Sequence, residues 1–187
     1  MKPLNLTKPH LIIMVGIPGS GKSFFAEHFA ETFKAPIVSF DRLRQELFKS
    51  PTFNKSEDDI IGRIANYMLD EVLKTGRTVV YEGQTSLRTD RASIAKKTRD
   101  AGYEPMFVWV QTELTEAKKR AIKPNSSRPT LNADQFDIRL KRFSAPHQTE
   151  KTIVISGKHP YTSQLKIVLK YLVEPRKQMS EDAYNSR

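Results

Sequence analysis

Eight consecutive residues carry the clearest chemistry in the chain. They are Gly16-Ile17-Pro18-Gly19-Ser20-Gly21-Lys22-Ser23, a complete G-x-x-x-x-G-K-[ST] pattern, with Phe24 directly after it. Glycines at these positions let backbone N–H groups turn inward and approach phosphate oxygens with no side chain in the way. A helix starting at the end of the pattern adds the positive end of its dipole. Lys22 supplies a mobile cation to β- and γ-phosphates, and the Ser23 hydroxyl can reach Mg²⁺. The pattern points to ATP or a similar nucleotide bound with magnesium. The competing reading is a glycine-rich strand–helix turn with no ligand, and the context speaks against it. An apolar run at 11–15 precedes the loop, and an amphipathic segment follows it.

A phosphate-binding loop does not fix the reaction. GTPases need an Asn-Lys-x-Asp base reader after a late strand, and the near match Asn54-Lys55-Ser56-Glu57 falls in an early loop. Motor ATPases present an Asp-Glu pair at the end of a buried strand, whereas the run at 78–81 leads into Glu82-Gly83. A small kinase fits better. Asp41 follows a short apolar run. A carboxylate at the C-terminal edge of the strand beside the loop can face the γ-phosphate and orient a hydroxyl nucleophile. Its alternative role is to cap the helix it begins.

The elements that must hold these residues alternate between strand and helix. Strands are expected at 11–15, 36–40, 78–81, 104–110 and 151–156, as short apolar or β-branched runs. Helices are expected after the glycine loop and at 41–48, 60–74, 90–101, 113–122, 132–143 and 162–172. In the first helix Phe24, Phe25, Phe29, Ala30 and Phe33 recur at helical spacing, and Asn132 is placed to cap the sixth. This alternation implies α/β architecture: a five-stranded parallel sheet covered on both faces, in three α/β/α layers. One domain is expected over 1–173, with a lid at about 120–133 and a polar, flexible tail at 174–187.

Composition narrows the setting. The chain has 187 residues, 38% of them hydrophobic, enough for one packed core. With no cysteine, disulfides, thiolate catalysis and Cys-type zinc sites are excluded. The four histidines lack metal-ligand spacing, and Trp109 is expected in the core. No apolar run is long enough to span a bilayer, so no membrane partner is expected and a cytoplasmic location is. The net charge of +10 calls for an acidic partner, either nucleic acid or simply the phosphates such an enzyme handles.

Four segments together resemble a known family. They are the loop at 16–23, Ser39-Phe40-Asp41-Arg42-Leu43-Arg44, Glu82-Gly83-Gln84-Thr85 with Arg91, and the arginine-containing loop running to Arg128. The chain resembles, over about residues 10–172, P-loop kinases of the polynucleotide-kinase-like group. Zeta-toxin-like kinases and AAA-like predicted kinases are similar. The resemblance implies the P-loop NTPase fold of the small-kinase type, with ATP and Mg²⁺ as cofactors. It implies that Asp41 takes the proton of the acceptor hydroxyl and that Arg44 grips an acceptor phosphate. Glu82 would hold the acceptor or a magnesium-bound water, with Thr85 and Arg91 lining the same side. Glutamate at 82 and Gln84 depart from the family's usual aspartate and smaller residue, which leaves the acceptor open. Arg128 is the preferred lid arginine for the transition state, and Arg120 the second, nucleotide-side one. The segment Ser156-Gly157-Lys158-His159-Pro160 lies where such kinases pack the adenine. The expected reaction moves the γ-phosphate of ATP to a hydroxyl, on a nucleic-acid 5′ end or on a small metabolite. The alternative is an ATPase or nucleotide switch acting with a protein or RNA partner.

Overall fold

Parallel strands buried on both faces are written as unbroken apolar runs, and β1 (His10–Val15) is one of these, fully buried from Leu11 to Val15. The computed structural model describes residues 6, 8–124 and 130–173. β1 lies at the centre of a five-stranded parallel sheet, in the order β2 (Ile37–Ser39), β3 (Val79–Glu82), β1, β4 (Glu104–Gln111), β5 (Ile153–Ser156). Leu11, Ile12 and Ile13 pair with Val79, Val80 and Tyr81 on one side. On the other side, β1 runs beside β4 from His10↔Glu104 to Val15↔Trp109.

Because strand side chains alternate, β1 feeds two cores. Ile12 and Met14 face α1 (Lys22–Phe33) and α7 (Tyr161–Val173), where Phe25, Phe29, Val168 and Leu172 meet them. Leu11, Ile13 and Val15 face α3 (Lys55–Leu73) and α4 (Arg88–Asp100), against Ala65, Leu69, Ile94 and Ala95. A smaller cluster of Ala121, Leu131 and Phe136 joins α5 (Leu114–Ile122) to α6 (Ala133–Arg142). No helix among the described residues is long and apolar enough to cross a membrane.

Several boundaries differ from the sequence expectation for physical reasons. α2 (Phe40–Leu47) is capped by Ser39, whose hydroxyl accepts from the Arg42 N–H, so Asp41 sits inside the first turn and does not cap the helix. α3 begins in the stretch expected as loop, because the Asn54 side chain accepts from the Glu57 N–H. β3 runs one residue further, to Glu82, which is paired in register with Ser39. Asn132 does cap α6, reciprocally with Gln135. Phe24, expected on the inward stripe of its helix, and Ile60, the apolar residue that opens the helix expected over 60–74, point out, at 45% and 43% exposure. Residues 125–129 of the expected lid and the 174–187 tail lie outside the described residues.

Candidate functional site

The glycine loop leaves β1 at Val15 and enters α1 at Lys22, so it sits over the C-terminal edge of the central strand. Gly19 has φ +74, and a Cβ there would come within 2.0 Å of the Ala117 carbonyl on α5. Gly157, just beyond β5, is pressed against the loop from the other side. A Cβ on it would lie 1.9 Å from the Ser20 carbonyl and 2.2 Å from Thr112 Oγ1. The Thr112 hydroxyl donates to that same carbonyl at 2.8 Å, and the Gly157 N–H donates to the Gln111 carbonyl at 2.8 Å. Pro18 lies in the same turn, where Ser20 donates its N–H back to Ile17. The loop is therefore clamped between α5 and the β5–α7 turn. The Lys22 ammonium lies across the loop, donating to the carbonyls of Gly16 and Ile17 at 3.0 Å each.

Two strand ends meet beside it. The Ser23 hydroxyl donates to Glu82 Oε1 at 2.5 Å, and the Ser39 hydroxyl donates to Glu82 Oε2 at 3.0 Å. Glu82 is only 5% exposed. Burial, and then the field of the nearby Asp41 carboxylate, push its pKa up to about 6, against the pull of Lys22 and of the two serine hydroxyls. Asp41 is exposed in the first turn of α2. Lys22, Ser23, Asp41 and Glu82 thus converge at one mouth. Ser23 and Glu82 offer hard oxygen donors of the kind Mg²⁺ takes.

Arg120 joins this arrangement from α5. Its Nε donates to Glu116 at 2.7 Å and its Nη1 to the Gly157 carbonyl at 2.9 Å. Nearby, Lys158 pairs with Glu113 at 2.7 Å. A cavity of about 460 Å³ opens here, lined by Ile17, Trp109, Gln111, Thr112, Phe143 and Lys158. Trp109, expected in the core, is half-buried along its wall. Phe24 turns outward, its ring 4.2 Å from that of His28.

Three expected substrate residues are committed elsewhere. Arg44 is 2% exposed and pairs with Glu57 at 2.8 Å and with Asp58. Burial works to raise the pKa of Glu57, but hydrogen bonds from Thr52, Phe53 and Arg44 prevail and hold it at about 2. Thr85 turns inward, its hydroxyl donating to the Met14 carbonyl at 2.8 Å. Arg91 is fully buried. It grips Glu150 through Nε at 2.8 Å and Nη2 at 3.0 Å, and donates Nη1 to the carbonyls of Thr85, Ser86 and Ser144. Arg91 therefore fastens the β3–α4 turn to the segment after α6, and its donors face the protein and not the mouth. Arg128 lies outside the described residues. The sequence reading passed over Ser39, Thr112 and the Gly157 contact. Ser39 stood beside Asp41 in a segment already singled out, while the other two follow only from strand adjacency.

A complete glycine loop at the edge of a parallel β2-β3-β1-β4-β5 sheet, with an acidic residue ending the neighbouring strand, defines a P-loop α/β domain of the small-kinase type. A family profile described as AAA domain matches residues 11–146, and the chain belongs to that family. No curated protein matches the chain at a significant level. Among solved structures, it is similar to an unliganded sugar kinase from Janibacter sp., at 17% identity and TM-score 0.63, covering 88% of this chain and 94% of that one. The Mycobacterium tuberculosis APS kinase CysC, in complex with AMPPNP and APS, is similar at 18% identity and TM-score 0.65, covering 89% and 99%. Chaetomium thermophilum Kti12 in complex with ADP-AlF3 is similar at 14% identity and TM-score 0.66, covering 88% and 100%. At these identities the likeness concerns the fold.

Proposed function

We propose that the protein is an ATP-dependent kinase that transfers the γ-phosphate to a hydroxyl group. The reading rests above all on the convergence of Lys22, Ser23, Glu82 and Asp41 at one mouth, with Ser23 and Glu82 already joined at 2.5 Å. The glycine loop at 16–23 cradles the phosphates, and Lys22 exchanges its two carbonyl contacts for phosphate oxygens. Ser23 and Glu82 would hold Mg²⁺, which would neutralise charge on the β- and γ-phosphates. Arg120 and the Gly157 turn flank the nucleotide on the β5 side. Asp41 accepts the proton of the acceptor hydroxyl as its oxygen bonds to the γ-phosphorus and the bond to the β,γ-bridging oxygen of the departing ADP breaks. Arg128 is proposed to offset the charge that spreads over the equatorial oxygens.

The acceptor is either a nucleic-acid 5′ hydroxyl or a small metabolite. The sugar kinase and APS kinase among the similar structures act, by their names, on small molecules, and the net charge of +10 suits an anionic acceptor of either kind. The test is to incubate the protein with γ-labelled ATP and Mg²⁺ against nucleosides, sugars and 5′-hydroxyl oligonucleotides. Label moving to one of these acceptors supports the kinase. Free labelled phosphate alone, produced equally by Asp41→Asn, means an ATPase or switch.

A further inference from the structure

α6 lies against the loop that leads into α3. Gln135 Nε2 donates to the Thr52 carbonyl at 3.3 Å, and Phe53 packs with the cluster of Ala121, Leu131 and Phe136. Phe53 sits in the left-handed region at φ +59, which a bulky side chain adopts only when its surroundings fix it. Glu57 does the fixing, accepting from the N–H groups of Thr52 and Phe53 and from the Thr52 hydroxyl. The ring so held carries two guanidinium groups, that of Arg44 at 4.8 Å and that of Arg139 at 5.3 Å from its centroid.

The two arginines differ in what neutralises them. Arg44 is buried against Glu57 and Asp58. Arg139 has, among the described residues, an ion pair with Asp58 at 3.8 Å, beyond hydrogen-bond distance, and Asp58 already serves Arg44. Its side chain keeps 36% of its surface open to solvent. Burial, and the like charges of Arg44 and Arg142, pull its pKa down, while Asp58 and Asp41 pull it up. The guanidinium shares the Phe53 ring with Arg44, which lies one helical turn beyond Asp41 on α2, and its nearest carboxylate is already engaged. It is fixed over an aromatic face with donors left to offer, an arrangement suited to bidentate capture of a carboxylate or phosphate.

We infer that Arg139 is a specificity-determining residue that binds an anionic group of the acceptor, a phosphate or carboxylate, while the acceptor's hydroxyl sits at Asp41. The inference rests on the kinase reading and deepens it: the substrate is an anionic hydroxyl compound, and a residue of α6 selects it. The assignment gives Arg139 an acceptor-binding role of the kind that the family resemblance implied for Arg44.

Acceptors offered in matched pairs test this, namely a nucleoside against its 3′-monophosphate and a hexose against its aldonate, each with γ-labelled ATP. For wild type, the anionic member of at least one pair is expected to have a kcat/KM at least about 10-fold above its neutral partner, the size of a charge-assisted contact. In Arg139→Gln that ratio falls towards one through the acceptor KM, while the KM for ATP moves less than about twofold. Arg139→Lys, which keeps the charge without the planar fork, is expected to fall between the two. Equal use of neutral and anionic members by wild type overturns the inference and leaves the kinase standing. A preference that survives in Arg139→Gln overturns the role of Arg139. Failure to label any acceptor, with free phosphate released, overturns both.

Discussion

Replacing Glu82 by glutamine changes how the stability of the nucleotide-free protein depends on pH, and the size of the change follows from the carboxylate's surroundings. Glu82 is 5% exposed and hydrogen-bonded by two hydroxyls, and burial and the Asp41 charge raise its pKa from 4.5 to about 6. The folded protein therefore holds this proton more tightly than the unfolded chain does. Stability contributed this way is fully present below about pH 4.5 and is lost as pH rises through about 6. At roughly 1.4 kcal/mol per pH unit, the gap between the two pKa values amounts to about 2 kcal/mol. Glu57, held at about 2, works with the opposite sign, losing stability as pH falls below 4.5, and it cancels when wild type and variant are compared. Urea unfolding of both proteins from about pH 4 to about pH 8 reads the difference. Wild type is expected to lose about 2 kcal/mol relative to Glu82→Gln across that range. A difference that stays flat, or a wild type that gains stability relative to Glu82→Gln as pH rises, would mean that Lys22 and the hydroxyls outweigh burial, and would refute this account of the junction.

Three further outcomes follow from the geometry. Arg91→Met leaves Glu150 and the carbonyls of Thr85, Ser86 and Ser144 without their donor, and is expected to cost about 3–5 kcal/mol in urea unfolding. A cost below about 1 kcal/mol would return Arg91 to the list of candidate substrate ligands. Gly157→Ala drives a methyl group into the Ser20 carbonyl, and is expected to weaken binding of a fluorescent ATP analogue at least about tenfold. Wild-type affinity in that variant would show that the β5–α7 turn does not clamp the loop. Arg139→Gln is expected to abolish a preference for anionic acceptors, as measured by the matched pairs.

Much of this was legible in the sequence because the informative signals were local. Buried parallel strands are continuous apolar runs, so all five were found, and the glycine pattern carries its own geometry. The positions of Asp41 just after β2 and of Glu82 at the end of β3 were legible too, since each follows a short apolar run. What escaped depended on partners far along the chain. Arg44, Thr85 and Arg91 have the chemistry of substrate ligands. Their partners lie 13, 71 and 59 residues away, and the fold turns each of them inward. Phe24 and Ile60 fit a helical stripe by spacing, yet the direction of each helix leaves them outside the core. The capping of α2 turned on Ser39, because a serine just before the helix reaches the Arg42 N–H, which freed Asp41 from the structural role that competed with catalysis. Arg139 is one of three cations in the last turn of α6, and only the Phe53 platform distinguishes it.

The central claim is that Asp41 serves phosphoryl transfer to a hydroxyl at the mouth formed by Lys22, Ser23 and Glu82. Its most direct test follows label from γ-labelled ATP to an acceptor in wild type and in Asp41→Asn, with the affinity for ATP measured alongside. Labelled acceptor in wild type, reduced at least about 100-fold in the variant while ATP still binds, is the predicted result. Undiminished transfer by Asp41→Asn, or free phosphate as the sole labelled product of both proteins, would contradict it.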